Sequence, residues 1–237
     1  MNKMIEIKLK NQNELKINLE YNYNILSEIP IEYYDDIIFL NCSDNNLTNI
    51  DITFFGLLKN LEILFCSQNK LTNLPSLPNL KVLSCYSNQL TELLEYPFLV
   101  ELYCSNNLLQ NIKDYPKLEK LICLANNLTV IGFYPNLLEL NCSYNMLTNL
   151  PFLPKLSELY CYRNQLNELP YSITLTKLWC NDNNLTKLPN YTNLTQLYCD
   201  YTLKNTLSNN LRNILYKDDT IINNFNYNYY SSLIVGC

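Results

Sequence analysis

A repeat of 19 residues governs most of this sequence and limits what the chain can fold into. If Leu156 is counted as position 1, apolar residues stand at positions 1, 4, 6, 11 and 14, and Asn stands at position 9. A longer copy begins at Ile37 and a fainter one near Lys16. A short period held over so much of the chain indicates a solenoid, in which each coil stacks only on its neighbours. The clear copies begin at Leu61, Leu80, Leu99, Leu118, Leu137, Leu156, Leu175 and Leu194.

The repeated pattern, L-x-x-L-x-C-x-x-N-x-L-T-x-L-P, resembles the leucine-rich repeat family. It is similar to the short form with Leu-Pro turns that bacterial effector proteins carry. Its Cys-bearing and Asn-rich composition also resembles repeat proteins encoded by large DNA viruses of amoebae. The match covers roughly residues 16 to 202. The resemblance implies a leucine-rich repeat solenoid with a right-handed superhelix and a parallel β-sheet on its concave face.

The spacing of the repeat predicts the same arrangement on physical grounds. Positions 4 and 6 share one face of a short strand, so positions 3 and 5 face the other way. Proline recurs at position 18. It restricts the backbone and excludes a long helix, so the convex side is predicted to be extended or polyproline-like. The extra residues of the coil that begins at Ile37 predict a helical turn on that side.

The two ends of the chain depart from the repeat, and each is predicted to form a cap. Residues 1–36 should form an N-terminal β cap, a hairpin followed by the degenerate repeat, because "MIEIKLK" and "ELKINLE" alternate around "NQN". Residues 37–202 hold the leucine-rich repeats. Residues 203–237 are predicted to form a helical cap and a tail. The helical spacing is that of Leu203, Leu207, Leu211 and Ile214.

Asparagine occupies position 9 of every clear copy. One amide offers two donors and an acceptor, so a column of these side chains can satisfy backbone groups where the chain turns inside the stack. We call this column the Asn ladder. Its predicted members are Asn45, Asn69, Asn88, Asn107, Asn126, Asn145, Asn164 and Asn183.

Cysteine occupies position 6, which points into the predicted core, and only Cys237 lies outside this frame. We predict a packing role, because free Cys behaves as a small hydrophobe. Disulfides fit poorly, since parallel Cβ vectors do not suit the required torsion, and the close Cys pairs of structural zinc sites are absent from the sequence. The predicted buried residues are Cys42, Cys66, Cys85, Cys104, Cys123, Cys142, Cys161, Cys180 and Cys199.

Aromatic residues gather at position 5 and beside it, whereas position 3 carries a row of mixed charge that we expect to be solvated ion pairs. Trp, Tyr and Arg are enriched in interface hot spots, and exposed apolar surface usually marks a binding site. We therefore predict an exposed aromatic ridge that binds a partner. The alternative is that these rings stack across strands and cover the sheet. The ridge and its flanks are Tyr103, Tyr144, Tyr160, Tyr162, Arg163, Trp179 and Tyr198.

The first strands carry an apolar patch where the rest of the sheet is charged. We expect the N-terminal hairpin to cap the first coil and cover this patch, which would also protect the sheet edge. A second binding patch is the alternative. The patch consists of Ile38, Phe39, Ile63 and Val82.

Composition argues against several other classes of function. The net charge is −5 and Lys and Arg are scattered, so the sequence has no basic stripe that would bind nucleic acid. No stretch approaches a membrane span, and the start of the sequence lacks the apolar run of a signal peptide. We expect a cytoplasmic protein, with the cytoplasm of a host cell as one option. Without His, a Gly-rich phosphate loop or metal-ligand spacing, we expect no enzyme, no metal and no cofactor.

Two functions fit these observations. The first is a non-catalytic module that binds a protein or peptide on the concave face. The second is a structural or assembly protein that associates with itself through the same ridge. We favour a monomer over an oligomer, and neither nucleic acid nor membrane is an expected partner.

Overall fold

The computed structural model describes residues 4–11, 13–18, 29, 31–49 and 53–215 of the chain. Its strands are β1 (Met4–Leu9), β2 (Glu14–Asn18), β3 (Ile37–Asn41), β4 (Ile63–Phe65), β5 (Val82–Ser84), β6 (Glu101–Tyr103), β7 (Lys120–Ile122), β8 (Glu139–Asn141), β9 (Glu158–Tyr160), β10 (Lys177–Trp179) and β11 (Gln196–Tyr198). They form one sheet in the order β11-β10-β9-β8-β7-β6-β5-β4-β3-β1-β2. Strands β3 to β11 run parallel, one from each coil, so the predicted solenoid with a parallel sheet is confirmed.

The repeat sets the register of the parallel strands. Leu83 pairs with Leu64 on one side and with Leu102 on the other, so residues at one repeat position lie side by side. Successive side chains of a strand point to opposite faces. Position 4 therefore lines the interior, and positions 3 and 5 lie on the opposite face. We call that opposite face the concave face, after the shape that the family implies.

The interior is built from stacked columns of leucine and cysteine. Leu83 and Leu102 are fully buried, and so are Cys85 and Cys104, which stand two residues further along the same coils. A single coil cannot bury these rows, whereas stacked coils bury them between each other. Truncating one such leucine to alanine should cost about 2–5 kcal/mol of stability.

Behind the sheet the chain has little regular secondary structure and turns at proline. The amide of Leu80 donates to the carbonyl of Leu77 at 3.2 Å. This bond closes a turn with Pro78 at its second position, where the fixed φ of proline is suitable. We expected this proline to extend the backbone, and the structure instead places it in the turn. The longer coil carries the predicted helical turn, a 3-10 helix at Thr53–Leu57.

A column of buried tyrosines on the convex side was not predicted. The hydroxyl of Tyr115 donates to the carbonyl of Leu94 at 2.8 Å, and that of Tyr191 donates to the carbonyl of Pro170 at 2.9 Å. Each bond ties a coil to the one before it. The sequence signal was present, because Tyr recurs at position 17, where the turn begins. The members of this convex Tyr column are Tyr96, Tyr115, Tyr134 and Tyr191, each at most 1% exposed.

At the N-terminal end, β1 and β2 form an antiparallel hairpin, and β1 continues the sheet alongside β3 in the antiparallel direction. Lys16, where the fainter repeat was expected to begin, lies in β2. Among the described residues the parallel ladder starts at β3, where the longer copy of the repeat begins at Ile37. Most of the fainter repeat, residues 19–28 and 30, lies outside the described residues.

At the C-terminal end the structure has two short helices where we predicted one. A 3-10 helix spans Tyr201–Thr206 and helix α1 spans Asn209–Asn213. Leu207 between them is extended, with φ −71° and ψ 143°, which separates the two helices. Neither these helices nor any other helix of the described residues is long and apolar enough to cross a membrane. The tail, residues 216–237 with Cys237, lies outside the described residues.

Candidate partner-binding face

The Asn ladder holds the turn that follows each strand. In its own coil, Asn107 donates from Nδ2 to the carbonyls of Cys104 at 3.1 Å and Ser105 at 3.2 Å. It also donates to the carbonyl of Cys85 at 3.0 Å in the preceding coil, and its Oδ1 accepts from the amide of Leu90 at 2.9 Å. Each amide thus fixes the end of a strand and joins two coils. The same pattern recurs at Asn69, Asn88, Asn126, Asn145, Asn164 and Asn183, whereas Asn45 donates to carbonyls of its own coil.

The residue before each ladder asparagine has a left-handed backbone, with φ from 52° at Asn106 to 57° at Asp44. Most L-residues adopt this conformation only at a cost of about 1–2 kcal/mol. Two of the predicted binding residues, Tyr144 and Arg163, stand here with φ 54°. The guanidinium of Arg163 lies 4.8 Å from the Tyr144 ring, and its Nε lies 3.2 Å from the carboxylate of Asp182. Because the strained position recurs in every coil, it belongs to the architecture of the repeat.

The cysteines of position 6 lie buried in the core as free thiols. Burial raises the pKa of the Cys142 thiol to about 12 from an ordinary value of 9.0. A thiol held protonated is a poor nucleophile and a poor metal ligand. Across the described residues, no group of His, Cys, Asp or Glu is arranged to hold a metal ion. The column therefore has the geometry of a packing element.

The C-terminal half of the concave face is filled by its own aromatic side chains. Tyr160, Tyr162, Trp179 and Tyr198 are only 3% to 5% exposed, so the prediction of an exposed ridge is wrong for these four residues. Neighbouring strands lie about 4.8 Å apart, which brings adjacent rings into contact. The ring centroids of Tyr160 and Trp179 are 5.6 Å apart, and those of Trp179 and Tyr198 are 5.9 Å apart. We call these four residues the aromatic cluster; their role in partner binding stays a prediction.

Two tyrosines of position 5 bind a carboxylate of their own strand. The hydroxyl of Tyr103, a residue 9% exposed, donates to Glu101 at 2.6 Å, and that of Tyr160 donates to Glu158 at 3.0 Å. Burial, and after it the nearby Glu158 carboxylate, raises the pKa of Tyr160 above its usual value. The hydroxyl therefore stays protonated and remains a hydrogen-bond donor.

The charged row of position 3 forms ion pairs across strands, as predicted. Lys120 lies 2.8 Å from Glu139, and Lys177 lies 2.7 Å from Glu158. The neighbouring carboxylates of Glu139 and Glu158 are thus each neutralised by a different lysine, so they do not form an acid/base pair. Partly exposed pairs of this kind contribute at most about 1 kcal/mol each. At the N-terminal end of the row, Glu101 makes no ion pair with any residue that the structure describes.

The N-terminal half of the concave face contains an open groove of about 670 Å³. Small side chains create it, because Asn41 and Ser84 occupy position 5, where much of the other half has aromatic rings. The rings of Phe39 and Phe65 pack edge to face across the groove lining, with centroids 5.5 Å apart. The apolar lining residues are half-buried and comprise Phe39, Ile63, Phe65 and Val82.

Polar groups complete the groove. The hydroxyl oxygens of Ser67 and Ser84 lie 2.9 Å apart, and Nε2 of Gln68 donates to the hydroxyl of Tyr86 at 3.4 Å. Among the described residues that line the groove there is no Lys and no Arg. Three carboxylates line it, those of Glu6, Asp44 and Glu101.

The groove coincides with most of the apolar patch that we expected the hairpin to cover. The hairpin instead continues the sheet beside β3, and Phe39, Ile63 and Val82 stay half-buried. The sequence therefore identified the patch, but it did not predict the depth of the groove or the contribution of Ser84. The signal was the sequence of side-chain sizes along position 5, where Phe65 is followed by Ser84 and then by Tyr103.

Comparison with known proteins identifies the family to which the repeats are similar. A family model described as "Leucine Rich repeats (2 copies)" matches residues 59–97. The structure of YopM from Yersinia enterocolitica is similar, with 33% identity and a TM-score of 0.67, over 74% of this chain and 39% of that protein. YopM from Yersinia pestis, described as a leucine-rich effector protein, has 29% identity and a TM-score of 0.57, over 62% of this chain and 48% of that protein. A Shigella effector leucine-rich repeat domain has 32% identity and a TM-score of 0.56, over 62% of this chain and 70% of that domain.

The chain spans less than half the length of the two Yersinia proteins. A search of curated protein sequences returned no match. The structural matches nevertheless agree with the solenoid and its parallel strands. The chain belongs to the leucine-rich repeat family, and its repeats resemble those of bacterial effector proteins.

Proposed function

We propose that this chain is a non-catalytic interaction module that receives a segment of a partner protein in the concave groove between β3 and β6. The observation that carries the proposal is the groove itself, an open space of about 670 Å³ with a half-buried apolar lining. A partner that covers this lining removes apolar surface from water, and that burial favours binding. The family is consistent with this role, since leucine-rich repeat folds are typically scaffolds for protein binding.

The chemistry of the lining supports binding over catalysis. The neighbour of the Ser84 hydroxyl is the Ser67 hydroxyl at 2.9 Å, which is not a base that would activate it. The sequence contains no His to serve as one. The groove is also open along a sheet face, so it resembles a docking surface more than an enclosed substrate pocket.

The residues predicted for the ridge have a different place in this proposal. The aromatic cluster is packed, and strands β7 and β8 separate it from the groove. Arg163 is exposed and Tyr144 is half-buried, so these two are the ridge residues that we propose as additional contacts. An exposed Arg stacked on a Tyr ring is typical of an interface anchor.

The decisive experiment fills the groove. In Ser84→Tyr, position 5 of β5 receives the residue that already stands at position 5 of β6, so the fold should tolerate it. The matched control is Ser76→Tyr, which places the same ring at an exposed convex position. Tagged wild type and both variants are used to capture proteins from a cell extract, and bound proteins are compared by mass spectrometry.

We expect one set of partners that wild type and Ser76→Tyr retain and that Ser84→Tyr loses. Equal recovery by all three proteins would contradict the proposal. Light scattering on the same samples tests the other function. An oligomer that depends on concentration, and that Ser84→Tyr leaves intact, would favour self-assembly through a different surface.

A further inference from the structure

We infer that the groove is selective for a basic peptide segment, in which an apolar side chain stands two residues from a Lys or Arg. This inference rests on the proposed function and adds the chemical class of the partner. Two independent features carry it: the charge of the residues around the groove, and the spacing between its apolar and acidic parts.

Two of the carboxylates that line the groove, those of Glu101 and Asp44, carry negative charge that no ion pair of the described residues offsets. Lys120, the nearest cation along the position 3 row, already pairs with Glu139 at 2.8 Å. Glu101 accepts a hydrogen bond from the Tyr103 hydroxyl but has no ion pair among the described residues. Asp44 has no ion pair among them either.

A second lysine, Lys8, stands near the groove without lining it. Lys8 lies 5.1 Å from the centre of the Phe39 ring, but its ammonium group also lies 3.6 Å from the carboxylate of Glu14. Glu14 thus offsets the charge of this lysine. The lining itself presents carboxylates beside apolar side chains, which is complementary to a cation carried on an apolar stem.

The spacing of these groups fits an extended peptide that crosses the strands. Phe65 lies on β4 and Glu101 on β6, two strands away and two residues back in the register, which corresponds to roughly 12 Å. In an extended peptide, residues i and i+2 project on the same side about 7 Å apart. The long stem of Lys or Arg spans the remaining distance. An apolar side chain against Phe65 therefore places the cation at i+2 beside Glu101.

Asp44 offers a second acidic contact at the other end of the groove. It belongs to the coil of β3, one strand before Phe65, and its side chain is exposed. A second basic residue two positions before the apolar one would meet it. An acidic segment would instead meet repulsion at both ends, and nucleic acid would meet it along its whole backbone.

The test uses random short peptides displayed on phage, selected in parallel on wild type and on Ser84→Tyr. Peptides recovered only by wild type are synthesised with a fluorescent label, and their Kd values are measured by anisotropy. Each peptide is also measured with Glu101→Gln/Asp44→Asn. The matched control, Glu92→Gln/Glu95→Gln, removes the same charge from two exposed residues away from the groove.

We expect the wild-type peptides to be enriched in Lys or Arg two residues from an apolar side chain. Their Kd should rise about fivefold in Glu101→Gln/Asp44→Asn and stay unchanged in the control. If peptides that depend on the groove lack basic residues, or bind both double variants equally, this inference is overturned while the proposed function stands. If wild type and Ser84→Tyr select the same peptides, the proposed function fails as well.

Discussion

The two halves of the concave face have the same backbone arrangement and differ in the side chains that they carry. In β4 and β5 the position 5 side chain is half-buried, and in β6 to β11 it is buried. The Asn ladder, the cysteine column and the register are the same on both sides of this boundary. The difference therefore arises from the side chains that neighbouring strands place together on the concave face.

This difference separates two roles that a repeat surface can have. Where large rings stand on consecutive strands, they bury each other, and the face contributes to stability. At β5, where Ser84 stands between Phe65 and Tyr103, apolar surface remains accessible, and this is the surface that we propose for a partner. The packed surface and the proposed binding surface thus occupy different parts of the solenoid.

The largest expected effect involves a feature common to both halves, the buried thiols. Burial raises the pKa of Cys142 and of Cys199 to about 12, from an ordinary value of 9.0. Because the folded-state pKa is raised, the stability from each thiol is fully present below pH 9 and is lost as the pH rises from 9 toward 12. The loss is about 1.4 kcal/mol per pH unit for each such thiol.

Urea denaturation at a series of pH values checks this prediction. Circular dichroism reports the whole sheet, and fluorescence of Trp179 reports the C-terminal half. Coincident transitions would show that the halves unfold together, and Cys142→Ala should reduce the alkaline slope by one thiol. Equal stability at pH 8 and pH 10 would show that the thiols are not held protonated by the fold.

The second prediction contrasts ring truncations in the two halves. Trp179→Ala should lower the free energy of unfolding by about 3–5 kcal/mol, because the ring is buried between Tyr160 and Tyr198. Phe65→Ala should lower it by about half as much, since its ring is only half-buried. Urea titration of both variants measures the difference, and equal losses would remove the distinction between a packed half and an open half. Trp179→Ala is consequently a poor probe of binding alone.

Much of the fold was predictable because a constant period fixes which side chains face inward. The parallel register, the buried leucines and cysteines, and the hydrogen-bonding role of position 9 all follow from spacing. Exposure on the concave face did not follow. It depends on the combined volume of neighbours such as Tyr160, Trp179 and Tyr198, which are far apart in sequence and adjacent only after stacking.

Two further features were predicted from the sequence only in part. The spacing of Leu203, Leu207 and Leu211 correctly placed buried residues at the C-terminal end, yet two extended residues, Leu207 and Ser208, divide the predicted helix. The groove lies at a patch that the sequence had revealed. Its volume depends on Ser84, which is unremarkable until Phe65 and Tyr103 flank it in the sheet.

The third prediction tests whether the ladder is equivalent on both sides of the boundary. Asn88→Ala in the open half and Asn145→Ala in the packed half should each cost about 1–3 kcal/mol, because each leaves buried backbone groups without a partner. Asn111→Ala, at an exposed position, is the control and should leave stability unchanged. Thermal denaturation of the three variants measures these costs. A marked difference between Asn88 and Asn145 would mean that the frameworks of the two halves differ.

The smallest expected effect lies on the convex side. Tyr115→Phe removes the hydroxyl that donates to the Leu94 carbonyl and should cost about 1 kcal/mol. Tyr171→Phe, at a residue 54% exposed, should cost nothing measurable. Denaturant midpoints of the two variants give the comparison. If both variants match wild type, the convex Tyr column stabilises the coils by packing alone.

The reach of the Asn ladder has a consequence for how such a protein changes over generations. From Asn69 onward, each ladder amide binds its own coil and the one before it. A duplication or deletion of one whole repeat in the coding DNA would therefore rejoin compatible surfaces without new bonds having to arise. The length of the solenoid, and the distance between its groove and its far end, can change in a single recombination event while the fold is kept.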